Sequence, residues 1–335
     1  MRTILAVALL ASCAGSPAAP ATPTRPAMPA PLRGPYLGQI ATDKPQLFSA
    51  GIVSTSHQEL NAAFSPAGDE LLFTLADAMR TEYTLLRIVR DASGTWGQPA
   101  VAPFSGRYSD ADPVFTGDGS RVYFISQRPA PGAGPSPRKD FDIWYVERNA
   151  GNYGEPVRLP APVNTDADEF YVSLTRTGSI YFSRNDDIQR AIPAGDSFTV
   201  EPLGPAINGP KSAEFDPFVA PDESYLLFTS AGRPDSLGRG DLYVSFQTAG
   251  AWQPARSLGP AINTKYFEYC PIVSPDGSHF FFTSYKKSEA SPGTPRTLEQ
   301  LIGTYDSVDN GLGNVYWLKA DFLEAMRAAG APPLE

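Results

Sequence analysis

The sequence predicts an all-β chain folded as a five-bladed β-propeller, and three observations lead there. A strand–turn–strand phrase recurs along the chain, each recurrence is followed by further strand-like runs, and each strand type can be counted five times. The phrase is clearest at 269–284, "YCPIVSPDGSHFFFTS", where alternating apolar residues flank Pro275-Asp276-Gly277, a strong local hairpin signal. Related stretches are "NAAFSPAGDELLFT" (61–74), "ADPVFTGDGSRVYFIS" (111–126), the weaker "FYVSLTRTGSIYFS" (170–183) and "FDPFVAPDESYLLFTS" (215–230). With Ala62, Pro113, Val172, Pro217 and Pro271 as equivalent positions, the units lie 51, 59, 45 and 54 residues apart, a spacing typical of propeller blades.

Taken in order, the chain opens with Met1-Arg2-Thr3 and the apolar run "ILAVALLA", too short to span a bilayer and patterned as a secretory signal. The run ends at "LASC", which resembles a bacterial lipobox. That resemblance implies a signal peptide over 1–12, cleavage before Cys13 and lipid attached to its sulfur. With Ala14 next and no Asp there, the usual sorting rule implies an outer-membrane lipoprotein facing the periplasm or the cell surface. Cleavage further on, near Ala18 to Ala21, is the plainer reading. Cys13→Ser separates them: it should leave the protein uncleaved or released from membranes. A wild-type protein found soluble, with its N-terminus beyond Cys13, would end the lipoprotein reading. The segment 13–35, rich in Pro and Ala, cannot bury a core and reads as an extended tether.

Residues 36–330 hold the repeats. The first two strands of each blade are the hairpin already described. The third is "TLLRIV" (84–89), "FDIWYV" (141–146), "DIQRAI" (187–192), "GDLYVSF" (240–246) or "GNVYWL" (313–318). The fourth follows an aromatic and a proline, as at Trp96 and Pro99 or Trp252 and Pro254, and leads into "LPAPVNT" (159–165), "LGPAING" (203–209) or "LGPAINT" (258–264). Proline suits an outermost strand, whose free edge has amides that need no ladder partner. The fifth unit has only three strands before a short C-terminal helix, capped by Asp321 and Glu324 and ended by Gly330. Its missing strand is expected from "FSAGIVS" (48–54), which aligns with "LGPAINT" and should pair with Val315–Leu318 to close the ring.

These phrases, "FSPAGDELLFT", "VSPDGSHFFFTS", "GDLYVSF" and the tryptophan–proline step into "LGPAINT", resemble the WD40-like PD40 repeats of the TolB-like β-propeller family. The resemblance spans roughly 36–318 and implies the fold. It departs in blade three, where "LTRTGS" replaces the turn, and in blade two, where Gly117 replaces proline. The translocation protein of that family has six blades and a separate N-terminal domain, so six blades is the alternative count, and its role does not carry over.

Composition narrows the function. The net charge of -9 and the lack of a Lys/Arg-rich run exclude nucleic acid as a partner. Two histidines, His57 and His279, and no G-x-S-x-G, H-E-x-x-H or paired Cys-x-x-Cys leave little for a hydrolytic triad or a His-rich metal site. Cys270 falls in an inner strand and reads as a small buried residue.

Alignment of the blades exposes an acid in every unit: Glu59, Asp110, Glu169, Glu214 and Glu268. Two positions on, read as the same strand face, stand Asn61, Asp112, Tyr171, Asp216 and Cys270. Hairpin register sets Arg128, Arg184, Arg233 and Lys286 or Lys287 beside the acids. Three readings follow: carboxylate–base pairs that lock the blades, a polar binding face at the channel mouth, or a bound hard cation such as calcium. The first suits Asp110, Glu169 and Glu214, which have an Arg in register, and leaves Glu59 and Glu268 as the site candidates. The long connections 127–140 and 285–313 emerge at the same end, and connections of that length are usually functional or disordered. The 285–313 insert can also be read as a plug for the channel.

The expectation is therefore a monomeric, envelope-anchored binding module without a cofactor. It would recognise a protein, peptide or glycan through one acidic, loop-rich face. The alternative is a carbohydrate-active hydrolase using funnel carboxylates, a chemistry that two or three acids suffice to run. Such a catalytic set should break the five-fold repeat.

Overall fold

The computed structural model describes residues 31–149, 151–289 and 295–330; Cys13, the signal-like leader and most of the tether lie outside them. The described residues form five antiparallel sheets, each hydrogen-bonded in the order of a propeller blade. The innermost strands are Gln58–Phe64, Asp110–Phe115, Phe170–Leu174, Ala213–Val219 and Glu268–Val273. Each is joined by the recurring turn to a second strand, then to a third, such as Asp142–Asn149 in blade two. The fourth strands are short in blades one, two and four, where Ala100–Val101, Val157–Arg158 and Arg256–Ser257 follow their prolines. In blade three the fourth strand, Ser197–Pro202, instead contains Phe198 and ends on Pro202.

The ring closes through the N-terminal strand, two residues earlier than the alignment suggests. Gln46 and Leu47 pair with Trp317 and Tyr316, and the Phe48 amide donates to the Val315 carbonyl at 2.8 Å. The segment 49–54 is the turn that follows, tucking Ile52 and Val53 into the core. Phe48 is fully buried against Phe64 of blade one and against Phe281 and Trp317 of blade five. The end of the tether is structured too. Arg33 bridges Thr95, and Trp96 donates its backbone amide to Leu32 and its indole N–H to Gly34. Tyr36 then packs on Phe64, His279 and Trp317, so the chain enters at the turn end of the blades.

One side chain of the "PAIN" phrase explains its recurrence. Asn164, Asn208 and Asn263 each accept the amide of a third-strand residue (Ile143, Ile188, Leu242) and donate back to that residue's carbonyl. Blades one and five use the hydroxyls of Ser105 and Ser54 to take the Leu85 and Val315 amides.

Every innermost strand carries a β-bulge at the same place. The register slips between Leu60 and Ala63, Ala111 and Val114, Phe170 and Ser173, Phe215 and Phe218, and Tyr269 and Ile272. Inside each slip one residue, Asn61, Asp112, Tyr171, Asp216 or Cys270, holds φ between 50° and 54°. Asn and Asp tolerate that left-handed region best; Tyr and Cys are held there by their surroundings. The amides of Asn61, Asp112 and Asp216 donate to a hydroxyl on the second strand of the preceding blade: Thr283, Thr74 and Ser183.

The 285–313 connection carries α1 (Leu298–Tyr305), capped by Thr297 and Gln300, which buries none of its residues. No described residue of this connection lines the funnel cavity described below, so these residues do not plug it. The chain ends in α2 (Phe322–Gly330), which packs Leu323 and Phe322 against the core of blades four and five.

Candidate functional site

The acid present in every blade does not face the channel. Glu59, Asp110, Glu169, Glu214 and Glu268 are all at most 2% exposed, and each is bonded into the segment that enters its own strand. In blades one, three and five the partner is the threonine four residues earlier. Thr264, for example, gives Glu268 its hydroxyl at 2.6 Å and its amide at 2.8 Å, and Thr55 and Thr165 serve Glu59 and Glu169 likewise. Ser105 takes this place for Asp110; Gly209 and Ser212 take it for Glu214. A second-strand serine adds a bond to Asp110, Glu214 and Glu268.

Arg128, Arg184 and Arg233 complete the lock. They lie 2.7, 3.5 and 3.0 Å from Asp110, Glu169 and Glu214, and each also donates to a carbonyl of the entering segment. Lys286 instead stands over the Tyr316 ring, so Glu268 is held by hydroxyls and an amide. The distinction drawn in the sequence for Glu59 and Glu268 therefore finds no support: both are as enclosed as the others. Burial pushes the carboxyls of Asp110, Glu169 and Glu268 above their ordinary range, with the hydroxyl donors pulling the other way.

The bulge explains the arrangement. Strict alternation would put the acid and the residue two positions on upon one face. The extra residue breaks that alternation, so the acid turns between the blades and its neighbour turns into the channel. A funnel of about 400 Å³ opens at this end, and Asp112, Asp216 and Cys270 are among its lining residues while none of the five acids is. Here the five-fold repeat breaks. Equivalent positions carry Asn61, Asp112, Tyr171, Asp216 and Cys270, so two of five offer a carboxylate. Tyr171 is buried and donates to the Pro271 carbonyl at 2.7 Å across the ring.

Asp112 and Asp216 are 7% and 8% exposed. Burial, reinforced by the Asp216 charge, pushes Asp112 up to about 8, with Arg80 and Asn61 opposing. Burial raises Asp216 to about 6, held there by the Cys270 amide, the Arg80 charge and Thr229. Among the described residues Asp112 Oδ1 has no hydrogen-bond partner, whereas Asp216 Oδ2 accepts the Cys270 amide at 3.1 Å. Asp112 is thus pushed up further than Asp216, so it holds its proton to higher pH.

The walls are aromatic. Phe170, Phe215, Phe267, Tyr83 and Tyr269 line the funnel, and Phe215 and Phe267 stack with centroids 6.0 Å apart. Arg184, Asp168 and Asp186 form part of the lining as well. Arg80, from the short turn after the second strand of blade one, also lines it. Sequence reasoning missed Arg80, which does not repeat from blade to blade, and the aromatic wall, although Phe170, Phe215 and Tyr269 each stand one residue after the acid of their blade.

A second cavity, about 1000 Å³, opens at the turn end. It is larger but built from the recurring turns of all five blades, whose polar groups bond one another. Asp276 takes the hydroxyls of Ser274 and Ser278, and Asp118 those of Thr116 and Ser120. The described residues hold no group of three or more His, Cys, Asp or Glu placed to bind a metal.

No family model matches the sequence, nor does any curated protein. Among solved structures, the chain is similar to the native arabinanase Arb43A of Bacillus subtilis, at 9% identity and a TM-score of 0.46, covering 79% of this chain and 95% of that one. The GH43 endo-arabinanase of Bacillus licheniformis stands at 10% and 0.45, covering 80% and 96%. A puromycin-hydrolysing peptidase of Mycobacterium tuberculosis stands at 15% and 0.39, over 76% of this chain. This chain spans only 41% of that peptidase and 21% of the tricorn protease, another neighbour.

Proposed function

We propose that the funnel binds a glycan and hydrolyses its glycosidic bond, with Asp112 as proton donor and Asp216 as base. The observation behind this is that the five-fold repeat breaks where it meets the channel. Two coupled carboxyls stand there, one holding its proton to higher pH than the other, facing an aromatic wall. Asp112 passes its proton to the leaving glycosidic oxygen as the C–O bond breaks. Asp216 takes a proton from the water that attacks the anomeric carbon. Aromatic planes suit the apolar faces of sugar rings, and carboxylates suit their hydroxyls.

Around this site we also propose the lipid anchor at Cys13 and membership of the PD40-like, TolB-like propellers. Both rest on the sequence phrases quoted above.

The test is release of aryl alcohol from a panel of p-nitrophenyl pentosides and hexosides, followed against pH. Turnover should be bell-shaped, falling below about 6 as Asp216 gains a proton and above about 8 as Asp112 loses its own. Asp112→Asn and Asp216→Asn should each cost at least ~100-fold in turnover while sugar binding persists. Binding without turnover across the panel would favour the second reading, a non-catalytic glycan-binding module. That reading has its own support, since Asp216 Oδ2 already holds the Cys270 amide.

A further inference from the structure

Among the described residues, Arg80 is the one basic side chain of the funnel lining that the blade locks do not use. Arg184, the other arginine of the lining, lies within ion-pair distance of Glu169, as Arg128 and Arg233 do of their own acids outside it. Arg80 forms no ion pair among the described residues. Its guanidinium stands 5.3 Å above the Tyr269 ring, close enough to Tyr83 for its charge to act on that phenol. Tyrosine contacts of this kind hold a guanidinium in place without consuming its five donors.

The turn that presents it is built firmly. The Asp77 carboxylate accepts the amides of Thr81 and Glu82 at 2.6 and 2.9 Å and the Thr81 hydroxyl at 2.9 Å. Arg80 itself sits in the left-handed region at φ 58. Blade one alone supplies such a group, so this too departs from the five-fold repeat.

We propose that Arg80 anchors a ligand carboxylate, so that the funnel selects an acidic glycan carrying uronic acid residues. A planar guanidinium with free donors matches a carboxylate in bidentate geometry. The aromatic wall beside it fits a sugar ring better than an extended acidic peptide. Asp168 and Asp186 in the same lining oppose an anion drawn in by charge alone. Recognition is therefore local, through the guanidinium fork. This inference rests on the glycan reading of the funnel.

The experiment is calorimetric titration of the full chain with uronate trimers (galacturonate, glucuronate, mannuronate) and their neutral hexose counterparts. The expected result is at least tenfold tighter binding of one uronate trimer than of its neutral counterpart. Arg80→Ala should remove that preference, so that the uronate and its neutral counterpart bind alike, and Arg80→Lys should keep part of it. The inference fails, with the glycan reading intact, if neutral trimers bind as tightly or if Arg80→Ala weakens both alike. It also fails if an oligoglutamate of equal charge binds as well as the uronate. Binding of neither sugar class would overturn the glycan reading and this inference together.

Discussion

Deletion of residues 31–48 is expected to give a chain that aggregates and has lost its cooperative unfolding transition. The deletion strips the outer edge of the sheet ending in Asn314–Lys319, which now pairs with Gln46 and Leu47. An unpaired strand with buried Tyr316 and Trp317 along it is a template for other chains. It also removes Phe48 and Tyr36, whose rings join blade five to blade one. Phe48→Ala alone should cost about 3–5 kcal/mol, the usual range for an enclosed phenylalanine. Against a total stability of roughly 5–15 kcal/mol, losing the whole segment leaves little to hold the ring. Gel filtration and thermal unfolding decide it: a deletion variant that stays monomeric and melts with the intact chain would show that the ring is secured elsewhere.

Asp110→Asn and Asp112→Asn, two positions apart on one strand, are expected to move stability in opposite directions. Asp110 is fully enclosed and takes bonds from Ser105, Ser126 and Arg128. Neutralising it strands a buried guanidinium, a loss of about 3–5 kcal/mol. Asp112 lacks such a set of partners, and its Oδ1 accepts no bond from the described residues. An unfolded aspartate loses its proton near 3.9, whereas the folded one keeps it up to about 8. Between those values the fold binds a proton that the unfolded chain has released, so stability falls as pH rises through the window. Asparagine bears no such charge. Asp112→Asn should therefore match wild type near pH 4 and exceed it by on the order of a few kcal/mol at pH 8. Urea unfolding of both variants from pH 4 to 8 would show it. Parallel losses for the two would mean that Asp112 is another lock, and would remove the main support for a catalytic carboxyl.

Much of this protein is legible in its sequence because a propeller repeats itself. The turn at Pro275-Asp276-Gly277 and its copies, the aromatic–proline step and the "PAIN" phrase are local signals, and their period alone counts the blades. The strand missing from the fifth unit likewise points to the chain's other end, where Gln46–Leu47 supplies it. The acids at Glu59, Asp110, Glu169, Glu214 and Glu268 could be found by the same alignment, which argued for a lock at Asp110, Glu169 and Glu214 and left Glu59 and Glu268 as site candidates.

The direction those acids face, and so the place of the candidate site, was decided only by tertiary structure. Period-two alternation assigns Asp110 and Asp112 to one face. The bulge at Asp112 turns one between the blades and the other inward. No local signal marks that bulge, since Asn, Asp, Tyr and Cys all occupy it. Arg80, Phe215, Phe267 and Tyr269 meet in the funnel from blades one, four and five. Closing the ring brings together side chains nearly two hundred residues apart, and burial there reshapes their charges. Sequence encodes the repeated scaffold because each blade must satisfy its own backbone. The unrepeated residues acquire a shared environment only once the blades surround one axis.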